Sequence, residues 1–164
     1  MQLVQMLNLP ARVRSITKPS EGRNPVQRNV RCPVATTLDL VGDRWTLLVV
    51  RDLLKGKNRF SELRESAEGI PPAILSSRLK LLEAQGVVVK RQYQDRPARY
   101  AYQLTAKGHA LGVVVGALAN WGEQFGESDL TLVDGECGHG IRVVYHCPTC
   151  ARHAPRSRAR LIHS

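Results

Sequence analysis

The sequence predicts a mainly α-helical fold closed by a small β-hairpin, and three observations predict it. Apolar residues recur at helical spacing through 34–41, 45–50 and 75–82, each run ended by a glycine or a turn. Two short runs rich in β-formers, 87–93 and 99–104, flank Gln94-Asp95-Arg96-Pro97-Ala98. A further apolar helical pattern follows over 106–125, and a Cys/His-rich stretch lies beyond it.

Residues 1–30 mix prolines with scattered arginines and read as a basic flexible arm, with at most a short helix over 2–7. Pro33 suits a first helical position, and Val34, Leu38 and Val41 share one face of a helix that Gly42 stops. Asp43 is placed to cap a second helix over 44–55. Its interior Trp45-Thr46-Leu47-Leu48-Val49-Val50 is apolar nearly all round, which predicts the central buried element. Gly56-Lys57-Asn58 reads as a turn, Arg59-Phe60 as a short edge strand, and Ser61 as the cap of a third helix over 62–66.

Pro71-Pro72 then opens a fourth helix over 73–85, with Gly86 at its C-terminal stop. Leu75, Leu79 and Leu82 make its apolar stripe. Its opposite face carries Ala73, Ser76, Ser77, Lys80 and Ala84, which is too small and too little charged for a merely solvated surface. Helix, helix, short helix, longer helix and hairpin, in that order, make a winged helix-turn-helix. Thr105 caps a long helix to about 125, in which Leu111, Val114, Leu118, Trp121 and Phe125 recur at three- and four-residue steps. That seam predicts pairing into a homodimer; packing back on its own domain is the competing reading.

The net charge of +10 is unevenly spread. Residues 1–31 hold +5 and residues 151–164 hold +4, so the body is nearly neutral. Within the body, 76–100 carries six cations against two acids, including Arg78, Lys80, Arg96 and Arg99. A local excess of that kind across a helix and a hairpin suits phosphates. No apolar run approaches the roughly 18 residues of a membrane span, and no signal peptide is evident. A cytoplasmic protein is expected, in which four cysteines point to metal or redox chemistry more than to disulfides. No nucleophile–base pair or carboxylate dyad stands out, so no catalysis is expected.

Six short motifs in order carry a family resemblance: Cys32-Pro33-Val34, Gly42-Asp43-Arg44-Trp45-Thr46, Arg51-Asp52-Leu53-Leu54, Arg59-Phe60-Ser61-Glu62-Leu63, Leu75-Ser76-Ser77-Arg78-Leu79 and Leu104-Thr105-Ala106-Lys107-Gly108. Together they resemble the HxlR-type (MarR-like) bacterial transcription regulators over about 32–125. The resemblance implies a homodimeric winged-helix protein that binds double-stranded operator DNA near its target promoter; a repressor is expected. It places the segment around 76–80 in the major groove and the wing near Arg96 against the minor groove. Hydroxyls of Ser76 and Ser77 suit phosphates or base edges, and the Ala73 methyl suits a thymine methyl. Arg96 and Arg99 flank the rigid Pro97 and suit a narrow minor groove. Arg78 borders the apolar stripe, so it either meets a phosphate or braces Glu83.

Cys32 precedes a helix N-terminus, where the macrodipole favours a thiolate. It is expected either to sense an oxidant or electrophile, as the resemblance implies for some members, or to fill a small cap position. Cys147-Pro148-Thr149-Cys150 has the two-residue gap that turns both sulfurs toward one zinc. Cys137 and His139 are expected to complete a zinc-ribbon-like site within a small Cys/His-rich appendage over 127–154, with His153 and then His146 as lesser candidates for the fourth ligand; a basic tail over 155–164 follows. A hairpin with uncoordinated thiols is the competing reading. The leading expectation is a DNA-binding regulator. The rival class is a thiol-redox or metal-binding protein acting through Cys137, Cys147 and Cys150; a protein–protein adaptor is disfavoured by the local positive charge.

Overall fold

The glycine- and proline-marked turns of the sequence become the corners of a helical domain in the computed structural model, which describes residues 32–126 and 130–162. The basic arm expected over 1–30 lies outside the described residues. The chain divides into two units, Met1–Cys32 and Pro33–Ser164. The elements of the second unit are α1 (Pro33–Val41), α2 (Thr46–Leu54), α3 (Phe60–Ser66), α4 (Pro72–Ala84), β1 (Val88–Gln94), β2 (Arg99–Leu104), α5 (Ala106–Ala110), α6 (Gly112–Phe125), β3 (Tyr145–Cys147) and β4 (Arg152–Ala154), with a 3-10 turn over Arg156–Arg158.

The core is the meeting of α2, α3, α4 and the start of β1. Val49, Val50, Leu63, Leu75, Leu79, Leu82, Val87 and Val88 are all buried there. Burying each such side chain contributes roughly 1.5–3 kcal/mol, which is what holds three short helices together. The central role of α2 and the Leu75/Leu79/Leu82 stripe follow the sequence pattern. The expected inward face of α1 does not: Val41 is buried, but Val34 and Leu38 are 51% and 56% exposed. Helical spacing identifies an apolar face without saying whether anything within the chain covers it.

Two local boundaries also differ. Helix α3 starts at Phe60, so Ser61 lies inside its first turn and not at its cap. The cap is made by Glu62, whose Oε2 accepts the N–H groups of Asn58 and Arg59 at 3.0 Å each. That leaves the edge strand as a single bridge from Arg59 to Ala101. The end of α4 is as expected: Gly86 has φ +65° and Val87 N–H reaches back to Leu82 O at 2.9 Å.

Strands β1 and β2 pair antiparallel, from Val88 opposite Leu104 to Gln94 opposite Arg99, with a bulge between Gln92 and Gln94. Thr105 then caps α5, accepting from Gly108 N–H at 3.1 Å, while its hydroxyl donates to Gly86 O at 2.7 Å. The long helix expected to follow is broken into α5 and α6 at Leu111. The cause is the docking of α5: Lys107 Nζ holds Gln85 O at 2.8 Å, and a Cβ on Gly108 would stand 2.2 Å from Val87 O. The chain is pinned there and turns before running across α2.

One side of α6 is covered by the C-terminal segment. Asn120 is buried; its side chain donates to Ile141 O at 3.2 Å and accepts Val143 N–H at 2.7 Å. Gly116 lies against Leu132 and Val143. The glycines that weaken this helix therefore make room for that segment and, at Gly112, for Leu54.

Candidate nucleic-acid interface

The outer face of α4 is laid down by its inner one: burying Leu75, Leu79 and Leu82 rotates Ala73, Ser77 and Lys80 into solvent, with Ser76 half-buried. Helix α4 is oriented through Arg78. Its Nη1 lies 3.4 Å from Asp43 Oδ2, and the side chains are 28% and 27% exposed. Asp43 is the cap of α2, accepting Trp45 N–H at 2.8 Å and Thr46 N–H at 3.1 Å through Oδ1 and the Thr46 hydroxyl through Oδ2. Partial burial works to raise the Asp43 carboxyl. The Thr46 hydroxyl, the two N–H groups and the Arg78 charge outweigh it, so its pKa lies below the usual aspartate value. Arg78 thus ties α4 to the N-terminus of α2. Neither alternative weighed from sequence, a phosphate or Glu83, includes this partner.

The hairpin projects beyond α4 as a wing. Its tip is braced by its own side chains: Gln92 Nε2 donates to Asp95 Oδ1 at 3.0 Å, and Gln94 Nε2 to Arg96 O at 3.0 Å. The Arg96–Pro97 peptide is cis. Arg96 and Arg99 are exposed, and among the described residues no carboxylate pairs with them or with Lys80. Two cations, Lys90 from the cationic stretch 76–100 and Arg59, lie beside tyrosines of the wing. Lys90 Nζ lies 3.9 Å from the centroid of Tyr100, and the Arg59 guanidinium 5.0 Å from that of Tyr93. The interleaving of Lys90, Tyr93 and Tyr100 was a sequence signal for the first; the second needed the α3–wing contact.

Of the seam residues on the last helix, Leu111 packs against the core of its own domain. Val114 is 37% exposed, and Leu118, Trp121 and Phe125 are 53%, 63% and 62% exposed, with Val113 beside them. The Trp121 and Phe125 rings lie 5.4 Å apart. Four of the five expected seam residues therefore form an open apolar face, and the fifth belongs to the core.

Cys32 is exposed just before α1. In the C-terminal segment Cys137, His139, Cys147 and Cys150 stand in two separate turns, and among the described residues no three His, Cys, Asp or Glu side chains are gathered as a metal cage. The Cys147 thiol is held below its ordinary pKa by the Cys150 N–H, the Cys150 thiol and the Thr149 N–H. His146 and His153 face each other across β3 and β4, their rings 5.6 Å apart. Among the described residues no helix is long and apolar enough to cross a membrane.

Known proteins share this geometry. Residues 40–130 match the HxlR-like helix-turn-helix family. The chain is 37% identical over 121 residues to an HTH-type transcriptional regulator of Mycobacterium tuberculosis, covering 74% of this chain and 70% of that one. The crystal structure of PA1607, a candidate transcription factor, superimposes with a TM-score of 0.71 at 32% identity, over 84% of this chain and 98% of the other. The redox regulator HypR in its reduced form superimposes with a TM-score of 0.54 at 34% identity, over 57% and 92%. These relatives are regulators and not enzymes. A winged helix-turn-helix with an exposed, short-residue recognition helix, matched over more than half its length, settles the assignment: this chain belongs to the HxlR-like helix-turn-helix family of transcriptional regulators.

Proposed function

We propose that the protein is a homodimeric repressor that reads operator DNA with α4 in the major groove and the wing against the adjacent minor groove. The observation that carries this reading is that Ala73, Ser77 and Lys80 of α4 and Arg96 and Arg99 of the wing are all exposed and, among the described residues, Lys80, Arg96 and Arg99 have no carboxylate partner. Short side chains let the α4 backbone approach base edges, while the cations neutralise phosphates. Ser76 sits at the edge of that face. Arg78 acts by holding α4 in place through Asp43. The open apolar face of α6 supports self-association, and two copies would place two recognition helices about one helical turn of DNA apart.

The test is titration of the promoter fragment beside the protein's own gene, with and without Ser77→Ala plus Lys80→Ala, at several salt concentrations. Tight binding is expected, with the double variant weakened by roughly 10- to 100-fold and a salt slope shallower by about 1. Equal, weak and salt-collapsing binding by both proteins would show that only diffuse basic charge touches DNA.

The same assay tests control by oxidation. The exposed position of Cys32 before α1 and the likeness to HypR, a protein described as a redox regulator, support a sensor thiol there. Diamide or a quinone is expected to change operator affinity in the native protein and to leave Cys32→Ser unaffected. An unchanged response in Cys32→Ser removes Cys32 from the mechanism.

A further inference from the structure

A cavity of about 210 Å³ opens between α2 and α6 and shares no residue with the surface of α4 and the wing. Leu47, Leu48 and Arg51 of α2, Ala119 and Gly122 of α6, and Leu130 beyond it form most of its wall. The space exists because α6 sets short residues opposite two leucines: a Cβ on Gly122 would meet no atom within 4 Å. Among the described residues, Arg51 is the one charged or polar side chain in the lining. Its Nε donates to Asp52 Oδ1 at 2.8 Å; the Arg51 side chain is 27% exposed and that of Asp52 is fully buried. A buried carboxylate requires a paired cation, so Asp52 holds the guanidinium in place. Asp52 is also the one carboxylate that pairs with Arg51 among the described residues. With Nε committed to it, the Nη edge of the planar fork is left to serve an acceptor in the cavity.

We propose that this cavity binds an uncharged molecule the size of one substituted benzene ring that carries a single carbonyl-type acceptor. Its apolar body lies among the leucines, and its carbonyl oxygen accepts from the Nη edge of Arg51. Size sets the body. An apolar cavity of about 150 Å³ holds benzene, so one of about 210 Å³ takes a ring with roughly two or three further heavy atoms. Charge sets the polar end. Asp52 already balances Arg51, so a carboxylate or phosphate would bring an unbalanced negative charge beside a buried carboxylate. A carbonyl oxygen accepts the same hydrogen bonds without adding charge. A plain hydrocarbon would fill the space but take the Nη edge out of water without an acceptor, which weakens its binding.

The inference does not rest on the DNA-binding reading and is tested on the full-length, reduced protein by ligand-observed NMR titration. The probes are acetophenone and two molecules of its shape: α-methylstyrene, which lacks the acceptor, and benzoate, which adds a charge. Acetophenone is expected to bind saturably at about one site per chain, and each of the others about 10-fold or more weakly. Ala119→Leu fills the cavity with a good helix former; it is expected to keep the native helical content and to lose acetophenone binding. Arg51→Met keeps the stem and is expected to bind acetophenone and α-methylstyrene equally. Should it fail to fold, because Asp52 is left unpaired, Ala119→Leu and the two shape-matched probes still decide the matter. No saturable acetophenone binding by the native protein would overturn the proposal. If binding then appeared in Trp121→Glu, the groove would belong to a second copy, since Leu118 lines it and also stands on the open face of α6. Benzoate or α-methylstyrene binding as tightly as acetophenone would overturn it too, as would undiminished binding by folded Ala119→Leu.

Discussion

Asp43 caps α2, bonds the Thr46 hydroxyl and holds Arg78 of the recognition helix. Its cap role is visible in sequence because Asp before a helical run satisfies orphan N–H groups. Its grip on Arg78 depends on the tertiary fold bringing α4 to the turn before α2. Because its folded pKa is depressed, the stability it contributes is fully present above the ordinary aspartate value of 3.8 and is lost as pH falls below it. Asp43→Asn keeps an amide oxygen for the cap and removes the charge. Its melting temperature is therefore expected to lie below that of the native protein at neutral pH, with the gap closing as the solution is acidified toward pH 3, by roughly 1 kcal/mol in all. A gap independent of pH would mean the carboxylate's charge contributes nothing.

Among elements, the wing and the α5–α6 pair carry the clearest consequences. The wing is rigid by its own hydrogen bonds, so Arg96 and Arg99 meet DNA from a fixed tip. The break at Leu111 arises because α5 is clamped to the α4–β1 turn, with Gly108 pressed on the Val87 carbonyl. Gly108→Ala is expected to destabilise the domain by about 1–3 kcal/mol, read as a lower urea midpoint at unchanged slope. A neutral result would show that α5 can lift away without cost. The same clamp sets where α6 begins, and hence which of its sides meets α2, which receives Leu132 and Val143 at Gly116, and which stays open.

At the scale of the whole molecule, an apolar face on α6 and two apolar residues on α1 are exposed among the described residues. Such a face seeks a partner, and a second copy is the partner we propose. Trp121→Glu is expected to leave helical content and thermal stability within the usual surface-mutation range of about 0.5 kcal/mol. In sedimentation it converts a dimer to a monomer and weakens operator binding, because each half-site is then bound alone. A native protein that sediments as a monomer would remove the dimer from the mechanism.

Periodicity, proline and glycine placement, and charge determined the winged architecture, the buried stripe of α4 and its short-residue outer face, since these depend on spacing along one chain. Tertiary structure alone decided the rest. Arg78 faces Asp43 because the fold brings α4 to the turn before α2, Arg59 lies on Tyr93 because α3 meets the wing, and Leu111 enters the core because α5 is pinned.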